Sequence, residues 1–324
     1  MRVSQRPILV FGATGQQGGS VARNLLQAQW PVRAIVRDPT AAKSIALRDA
    51  GVELVRGSFA DIDVIRATMK DAYGVFSVQP TSSSGTVTDE EEVRFGIAIA
   101  DLAADSGVAH LVYSSGASVG EKSTGVARVD AKARIEAHIR RLPVTATIVG
   151  PMIFMEMLAR PGFGLDEGRF TFFLRPDQSM QLVAVEDIGR FVTAIFADKM
   201  RFGGKTLKIA SDTVTGRELE AIFSEAAGHP IAYARFPAEV LAANPNLGHL
   251  AASLDGGPLA DHVDLNVMRE INPKILSFRS WLAGSGRKAL DQALQSRIKP
   301  KPAQSPPGSP PEHSWPSTPP PACV

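Results

Sequence analysis

The feature of this sequence that most constrains its fold is a glycine-rich turn set between an apolar segment and a helical pattern. Residues 7–11 form a short apolar run that is typical of a buried β-strand. Residues 21–26, beyond the turn, carry apolar side chains at helical spacing. A strand, a glycine turn and a helix in this order are the context in which a glycine pattern indicates dinucleotide binding.

Each glycine of the turn has its own predicted role. Gly12 allows a tight turn out of the strand, Gly15 allows the backbone to approach a pyrophosphate, and Gly18 lets the helix pack close to the sheet. The first N–H groups of the helix attract phosphates. We predict that the pyrophosphate is held by Gly12, Ala13, Thr14, Gly15, Gln16, Gln17 and Gly18. The spacing is G-x-x-G-x-x-G, not G-x-G-x-x-G, so a turn without a cofactor is the alternative.

Strand and helix patterns alternate over the first half of the chain. The predicted strands are 7–11, 32–36, 52–55, 74–78, 110–114 and 144–149. The predicted helices are 16–29, 40–50, 61–71, 88–106 and 127–141. Thr88 is expected to cap the fourth of them, and the acidic residues 89–92 that follow lie where the helix dipole favours them. Nearly continuous apolar strands joined by helical crossovers predict an α/β fold of the Rossmann type, a doubly wound parallel sheet with a cofactor crevice at the carboxyl ends of its strands.

The alternation decays after Pro151. A helix from Val185 to about Met200 and a capping box that begins at Thr215 are still predicted. We therefore expect three parts: an NAD(P)-binding Rossmann domain at 1–156, a smaller C-terminal α/β substrate or lid region at 157–298, and a tail at 299–324. Ten of the 26 tail residues are proline, so a disordered, polyproline-leaning tail is predicted.

Composition excludes several classes of protein. A net charge of +2 gives no general attraction to nucleic acid or to an anionic membrane. The single cysteine, Cys323, and six histidines without ligand-like spacing predict no metal site. No apolar stretch approaches the roughly 20 residues of a membrane span, and no secretory signal pattern is found. We expect a cytoplasmic protein.

Arg37 ends the second predicted strand, at the position that decides between cofactors. An acidic residue there binds the ribose hydroxyl of NAD, whereas an arginine suits the 2′-phosphate of NADP. Lys43, on the next helix, could add a second positive charge. NADP is therefore the predicted cofactor. NAD stays open because the adjacent Asp38 could turn inward, and a solvated Arg37 is the bland alternative.

Several separated motifs then carry a family resemblance. They are GATGQQG, the RDP turn, YSSG at 113–116, Lys132, PMIFMEM at 151–157, VEDIG at 185–189 and INPKILSFRSWL at 271–282. Over roughly residues 6–285 the chain resembles the NmrA-like family, an atypical branch of the short-chain dehydrogenase/reductase superfamily.

The resemblance implies further cofactor contacts. By position they are Ser58 and Phe59 near the adenine, Gln79 and Pro80 at the ribose, Lys132 at the nicotinamide ribose, and Phe154, Met155 and Glu156 at the nicotinamide. Read without the family, Phe154 and Met155 are core residues and Lys132 is a solvated helix lysine.

One element of the standard superfamily is missing. A standard member donates a proton from a tyrosine four residues before the lysine, where this chain has Arg128. The three tyrosines are Tyr73, Tyr113 and Tyr233, and Tyr113 falls within a predicted strand. Carbonyl reduction by the standard route would lose roughly 10²–10⁴-fold in rate without this acid. Lys132 remains the candidate catalytic residue.

Two functions fit this combination. The first is an NADP(H)-binding redox-sensing or regulatory protein that acts on a protein partner through a change of conformation or oligomeric state. The alternative is an NAD(P)H-dependent oxidoreductase of quinone-like or other conjugated acceptors, which needs no tyrosine acid. A DNA-binding regulator is disfavoured because the charge is balanced and no recognition helix is recognisable.

Overall fold

The computed structural model describes residues 6–82, 85–120 and 123–295. Its strands are β1 (Ile8–Val10), β2 (Val32–Val36), β3 (Glu53–Arg56), β4 (Gly74–Ser77), β5 (His110–Ser114), β6 (Ala146–Pro151), β7 (Ile153–Phe154), β8 (Arg169–Phe172), β9 (Ser179–Val183), β10 (Thr206–Ile209), β11 (Asp212–Thr215) and β12 (Ala232–Arg235). The predicted disorder of residues 299–324 lies outside the described residues.

The helices alternate with these strands in the first half and dominate the end of the described chain. They are α1 (Gln16–Gln27), α2 (Ala42–Asp49), α3 (Ile62–Met69), α4 (Asp89–Asp105), α5 (Ala127–Ile139), α6 (Met155–Leu158), α7 (Val185–Ala197), α8 (Lys199–Phe202), α9 (Gly216–Ala227), α10 (Ala238–Ala243), α11 (Pro245–Gly256), α12 (Leu265–Ile271), α13 (Phe278–Ala283) and α14 (Arg287–Gln295). None of these helices is long and apolar enough to cross a bilayer.

The central sheet confirms the predicted α/β fold. Its strand order is β10-β6-β5-β4-β1-β2-β3, and every pairing is parallel. The order reverses between β1 and β4, which opens a crevice at the carboxyl ends of those strands. All six predicted strands are present. The seventh, β10, comes from the chain beyond residue 156.

The apolar strands are buried because helices cover both faces of the sheet. Ile8, Leu9 and Val10 of β1 are fully buried. Ile8 and Val10 belong to an apolar core that includes side chains of α1 and α7, whereas Leu9 belongs to a core with α3, α4 and α5. This two-sided burial accounts for the nearly continuous apolar sequence of the strands.

Small residues allow α1 and α7 to pack closely. A Cβ atom at Gly189 of α7 would lie 2.4 Å from the Ser20 hydroxyl and 2.5 Å from the Asn24 side-chain nitrogen of α1. The glycine that ends the VEDIG motif is therefore required by helix contact. Both β10 and α7 come from the chain beyond residue 156 and belong to the central layers. The predicted domain boundary at residue 156 stays a prediction.

The remaining chain forms smaller sheets over a separate apolar core. A three-stranded sheet has the order β11-β9-β7, and β12 pairs with β8. Their core is rich in phenylalanine, with Phe170 centred 4.6 Å from Phe223 and Phe172 centred 4.1 Å from Phe173. The predicted capping box at Thr215 is confirmed at the start of α9, with Glu218 as its second member.

A buried carboxylate joins three segments of the second half. Asp187, on α7, is fully buried. Its Oδ1 accepts hydrogen bonds from Arg190 at 2.7 Å and from Asn272 at 2.9 Å. Its Oδ2 accepts from the Ser211 hydroxyl at 2.8 Å and from the Leu276 backbone at 2.9 Å. The VEDIG and INPKILSF motifs thus meet at one saturated carboxylate, which gives both a structural role.

The network around Asp187 predicts that Asp187 and its neighbour Glu186 contribute unequally to the free energy of unfolding. Asp187→Ala leaves four donors without their acceptor and is expected to lower the free energy of unfolding by about 3 kcal/mol. The matched change Glu186→Ala, which removes a partly exposed pair with Arg190, is expected to lower it by less than about 1 kcal/mol. Urea denaturation of both variants checks this. Equal losses would contradict the role of Asp187.

Candidate functional site

The glycine turn has the geometry that its sequence predicts. Gly12 adopts φ +64°, and a Cβ atom there would lie 2.9 Å from Val78. A Cβ atom at Gly18 would lie only 2.3 Å from the Gly12 carbonyl oxygen. No side chain fits into this backbone contact, which brings the start of α1 against the end of β1.

The N-terminus of α1 is left open toward the crevice. Its cap, Gly15, makes no side-chain hydrogen bond, and the first turn of the helix holds no acidic residue. The positive end of the helix dipole therefore lies at the crevice, where it favours an anion. Gln17 fixes the turn to the sheet, because its Oε1 accepts a hydrogen bond from the Ser114 hydroxyl at 2.7 Å.

A cavity of about 400 Å³ runs over the turn and the ends of the neighbouring strands, and we call it the crevice. It brings together most of the predicted cofactor residues, namely Gly12, Thr14, Gly15, Gln16, Gln17, Gly18, Arg37, Ser58, Phe59, Gln79 and Pro80. Ala13 does not line it. Its side chain is 3% exposed and packs in the core.

Arg37 and Asp38 face different partners. Arg37 lines the crevice and forms no ion pair within the described part of the chain. Asp38 is not part of the lining, because its Oδ1 accepts hydrogen bonds from the Thr40 backbone at 2.8 Å and the Thr40 hydroxyl at 2.6 Å. These bonds lower the pKa of Asp38. The arginine, not the acid, is presented to the crevice, and Lys43 lies outside its lining.

Aromatic side chains form one wall of the crevice. The ring of Phe59 is centred 5.6 Å from that of Phe11 and 5.6 Å from that of Phe95. Ser58 is held by Asp61, whose Oδ2 accepts from its backbone at 2.7 Å and its hydroxyl at 2.8 Å. Sequence reasoning missed Phe95, because no motif marks this position on a helix from another part of the chain.

A second cavity of about 90 Å³, which we call the inner pocket, lies at the ends of β5 and β6. Ser115, Arg128 and Lys132 contribute polar groups to it, and Phe154 contributes part of the apolar wall. Leu250, on α11, lines it from the second half of the chain. Phe154 and Lys132 thus lie in the inner pocket and not in the crevice.

Lys132 is buried in an ion pair. Its Nζ lies 2.7 Å from Glu92 Oε1, and the two side chains are 7% and 0% exposed. A solvated helix lysine is thereby ruled out. The sequence placed Glu92 among the dipole-stabilising acids that follow Thr88. The predicted cap at Thr88 is confirmed, and the structure adds Glu91 as its partner in a capping box, but Glu92 is instead the buried counter-ion of Lys132.

The usual proton donor is indeed missing. Tyr113 is fully buried in β5, Tyr73 packs on Trp30, and Tyr233 donates its hydroxyl to the Leu174 carbonyl. None of these tyrosines lines the crevice or the inner pocket. At the pocket edge, the Ser115 hydroxyl donates to Glu136 at 2.5 Å, so it does not donate to a ligand at the same time.

Met155 and Glu156 line neither cavity. Met155 is fully buried in the apolar core, and Glu156 Oε1 accepts a hydrogen bond from the Val185 backbone at 3.0 Å. Burial raises the pKa of Glu156 to about 7. The nicotinamide contacts implied for both residues stay predictions. No cluster of three or more metal-ligating side chains occurs within the described ranges.

The raised pKa of Glu156 predicts a pH-dependent stability. The folded protein retains the Glu156 proton up to about pH 7, whereas the unfolded chain releases it near 4.5. Wild type therefore loses stability as the pH rises through this window. Glu156→Gln keeps the acceptor for Val185 and does not titrate, so its stability relative to wild type should rise by about 3 kcal/mol between pH 4 and pH 8. Urea denaturation across this range checks it, and a constant difference would contradict it.

Solved structures share this fold. NmrA, a negative transcriptional regulator in complex with NADP, superposes with a TM-score of 0.73 at 20% identity, over 89% of this chain and 98% of that one. The NADPH-dependent quinone oxidoreductase QOR2 of Escherichia coli, complexed with NADPH, superposes with a TM-score of 0.71 at 19% identity, over 85% and 98%.

Sequence relatives are more informative. The NmrA-like family domain-containing oxidoreductase FrzB of Cladobotryum sp. is 33% identical over 254 residues, which cover 70% of this chain and 75% of the relative. An NmrA-like family domain-containing protein of Dictyostelium discoideum is 27% identical over 244 residues, which cover 70% and 80%. A sequence model of the NmrA-like family matches residues 4–255, and the chain therefore belongs to that family.

Proposed function

We propose that this chain is an oxidoreductase that uses NADP(H) to reduce quinone-like or other conjugated acceptors. The observation that carries the proposal is the inner pocket, whose lining includes Arg128 and Lys132. This pocket and Arg37 lie on opposite sides of the glycine turn. The crevice holds the predicted adenine, ribose and pyrophosphate contacts, and a reductase also needs space for its acceptor next to the nicotinamide. Relatives that are named oxidoreductases support this reading.

The crevice fits a dinucleotide phosphate. The open N-terminus of α1 and the glycine turn would hold the pyrophosphate, and Arg37 would bind the 2′-phosphate. Phe59 offers an apolar face for the adenine. NADP is favoured over NAD because Asp38 is bound to Thr40 and does not meet the ribose. When bound in reduced form, the cofactor supplies a hydride.

The chain's own residues contribute binding and electrostatics more than proton transfer. Lys132 is neutralised by Glu92, and Tyr113 is enclosed in the core. A carbonyl that needs a proton in the transition state is therefore a poor substrate. A quinone-like acceptor spreads the added charge over its own conjugated system and takes its proton from water afterwards, which suits this site.

A redox-sensing or regulatory role is the second candidate. Loss of the tyrosine acid favours it, since a sensor needs affinity for the cofactor and no turnover. The structure of the regulator NmrA also contains NADP. The protein partner, the oligomer and the cytoplasmic location expected from the sequence stay predictions.

The cofactor assignment predicts a preference for NADP⁺ over NAD⁺. We expect Arg37→Ala to weaken NADP⁺ binding by about 10- to 100-fold, because a charged hydrogen bond to the 2′-phosphate is lost, and to leave NAD⁺ binding nearly unchanged. The control Arg48→Ala removes an exposed arginine that pairs with Asp49 outside the crevice lining. Calorimetry measures all three proteins. Equal affinity of wild type for both cofactors would contradict the assignment.

Turnover separates the two functions. Wild type should oxidise NADPH steadily in the presence of a panel of benzoquinones and naphthoquinones, followed by the loss of NADPH absorbance. In Arg37→Ala, the KM for NADPH should rise by a factor similar to that for NADP⁺ affinity, with kcat retained. NADP⁺ binding without oxidation of NADPH by any quinone would favour the sensor and overturn the reductase.

A further inference from the structure

Arg128 is a buried cation without a partner. It is the second residue of α5 and lines the inner pocket with 9% of its surface exposed. Its Nε is enclosed and has no hydrogen-bond partner, and the guanidinium forms no ion pair with any described residue. By contrast, Arg134 on the same helix reaches the surface and pairs with Glu90 at 2.5 Å.

Two carboxylates near Arg128, those of Asp89 and Glu92, attract its charge, but neither forms an ion pair with it. Glu92 pairs with Lys132, and Asp89 attracts the guanidinium without pairing with it. Burial, and after it the charge of Arg128, lowers the pKa of the neighbouring His249. Burial therefore lowers the pKa of Arg128, which means that the fold disfavours the charged form. A structural residue would be satisfied by the protein. The missing partner points to a ligand.

We infer that Arg128 binds the oxygen of the acceptor that becomes negatively charged during reduction, in the position where a standard member of the superfamily carries its proton-donating tyrosine. The inference rests on the proposed reductase function and adds the class of acceptor. An arginine keeps its proton at neutral pH, so it stabilises an oxyanion by charge and by hydrogen bonds. The tyrosine acid is replaced by an oxyanion site.

The proposed step balances in atoms and in electrons. The hydride from the reduced nicotinamide forms a bond to a carbon or oxygen atom of the conjugated acceptor, and the displaced π-electron pair moves through the conjugated system to a terminal oxygen. That oxygen becomes a phenolate or enolate beside Arg128, while the nicotinamide is oxidised. Water then supplies one proton. No tyrosine and no further reductant is required.

The walls of the pocket restrict the acceptor further. Apolar side chains also line the pocket, namely those of Met152, Ile153, Met157 and Leu250. The pocket thus suits a conjugated, largely apolar body that carries an oxygen atom at one end. An acceptor such as a quinone or an unsaturated ketone meets this description, and a sugar with hydroxyl groups on every face does not.

The test uses 4-nitrophenol, whose ionised form absorbs visible light and resembles the phenolate product. The protein is titrated with this probe across pH, in the presence and absence of NADP⁺. Because an adjacent cation favours ionisation, the apparent pKa of the bound phenol in wild type should lie about one unit or more below that in Arg128→Met. Arg128→Lys should retain part of the shift, and the surface control Arg134→Met should retain all of it.

Several outcomes would overturn the inference. They are failure of 4-nitrophenol to bind to wild type under either condition, and an equal pKa of the bound phenol in wild type and Arg128→Met. Arg128→Met should also unfold at the same or a higher urea concentration than wild type, and a clear loss of stability would assign Arg128 a structural role. If the shift is found and no quinone is reduced, the oxyanion site stands and the reductase function fails. If quinones are reduced and the pKa of the bound phenol does not shift, the reductase function stands and the oxyanion site fails.

Discussion

The close approach of Gly18 to the Gly12 carbonyl determines where α1 starts and thereby where the crevice lies. A Cβ atom at Gly18 would lie only 2.3 Å from the Gly12 carbonyl oxygen, so α1 starts directly against the end of β1. The open helix terminus is thereby placed at the crevice between β1 and β4. The same close packing places Ser20 of α1 next to Gly189 of α7. Through this contact α7 packs into the central layers.

Four buried charged side chains differ in how far the protein itself neutralises them. Asp187 has four donors and acts as a joint between segments. Lys132 and Glu92 neutralise each other beside the inner pocket. Arg128 alone among these groups lacks a partner and faces a cavity. Because an unpaired buried charge opposes folding, its retention is explained by a ligand more readily than by the fold.

Much of the fold follows from the sequence because its signals are local. The strands, the glycine turn and the Thr88 and Thr215 caps depend on neighbouring residues, and the structure confirms them. The place of Arg37 in the crevice follows from the order of strand and turn. Membership of β10 in the central sheet does not follow, because a strand pairs with a segment far away in the sequence.

The polar contacts of the site also could not be predicted from local sequence patterns. Glu92 looks like a solvated helix-start acid until the fold brings Lys132, 40 residues later, to within 2.7 Å. Arg128 is recognisable from the sequence only as the absence of a tyrosine. Its lack of an ion pair and its place in the inner pocket depend on the packing of α4, α5 and α11, which no local pattern encodes.

A crystal structure of the complex with NADP⁺ would show which groups hold each part of the cofactor. We expect the pyrophosphate at the start of α1, the 2′-phosphate on Arg37 and the nicotinamide ring at the mouth of the inner pocket, next to Arg128. A nicotinamide ring directed away from the inner pocket, or a 2′-phosphate without contact to Arg37, would contradict it.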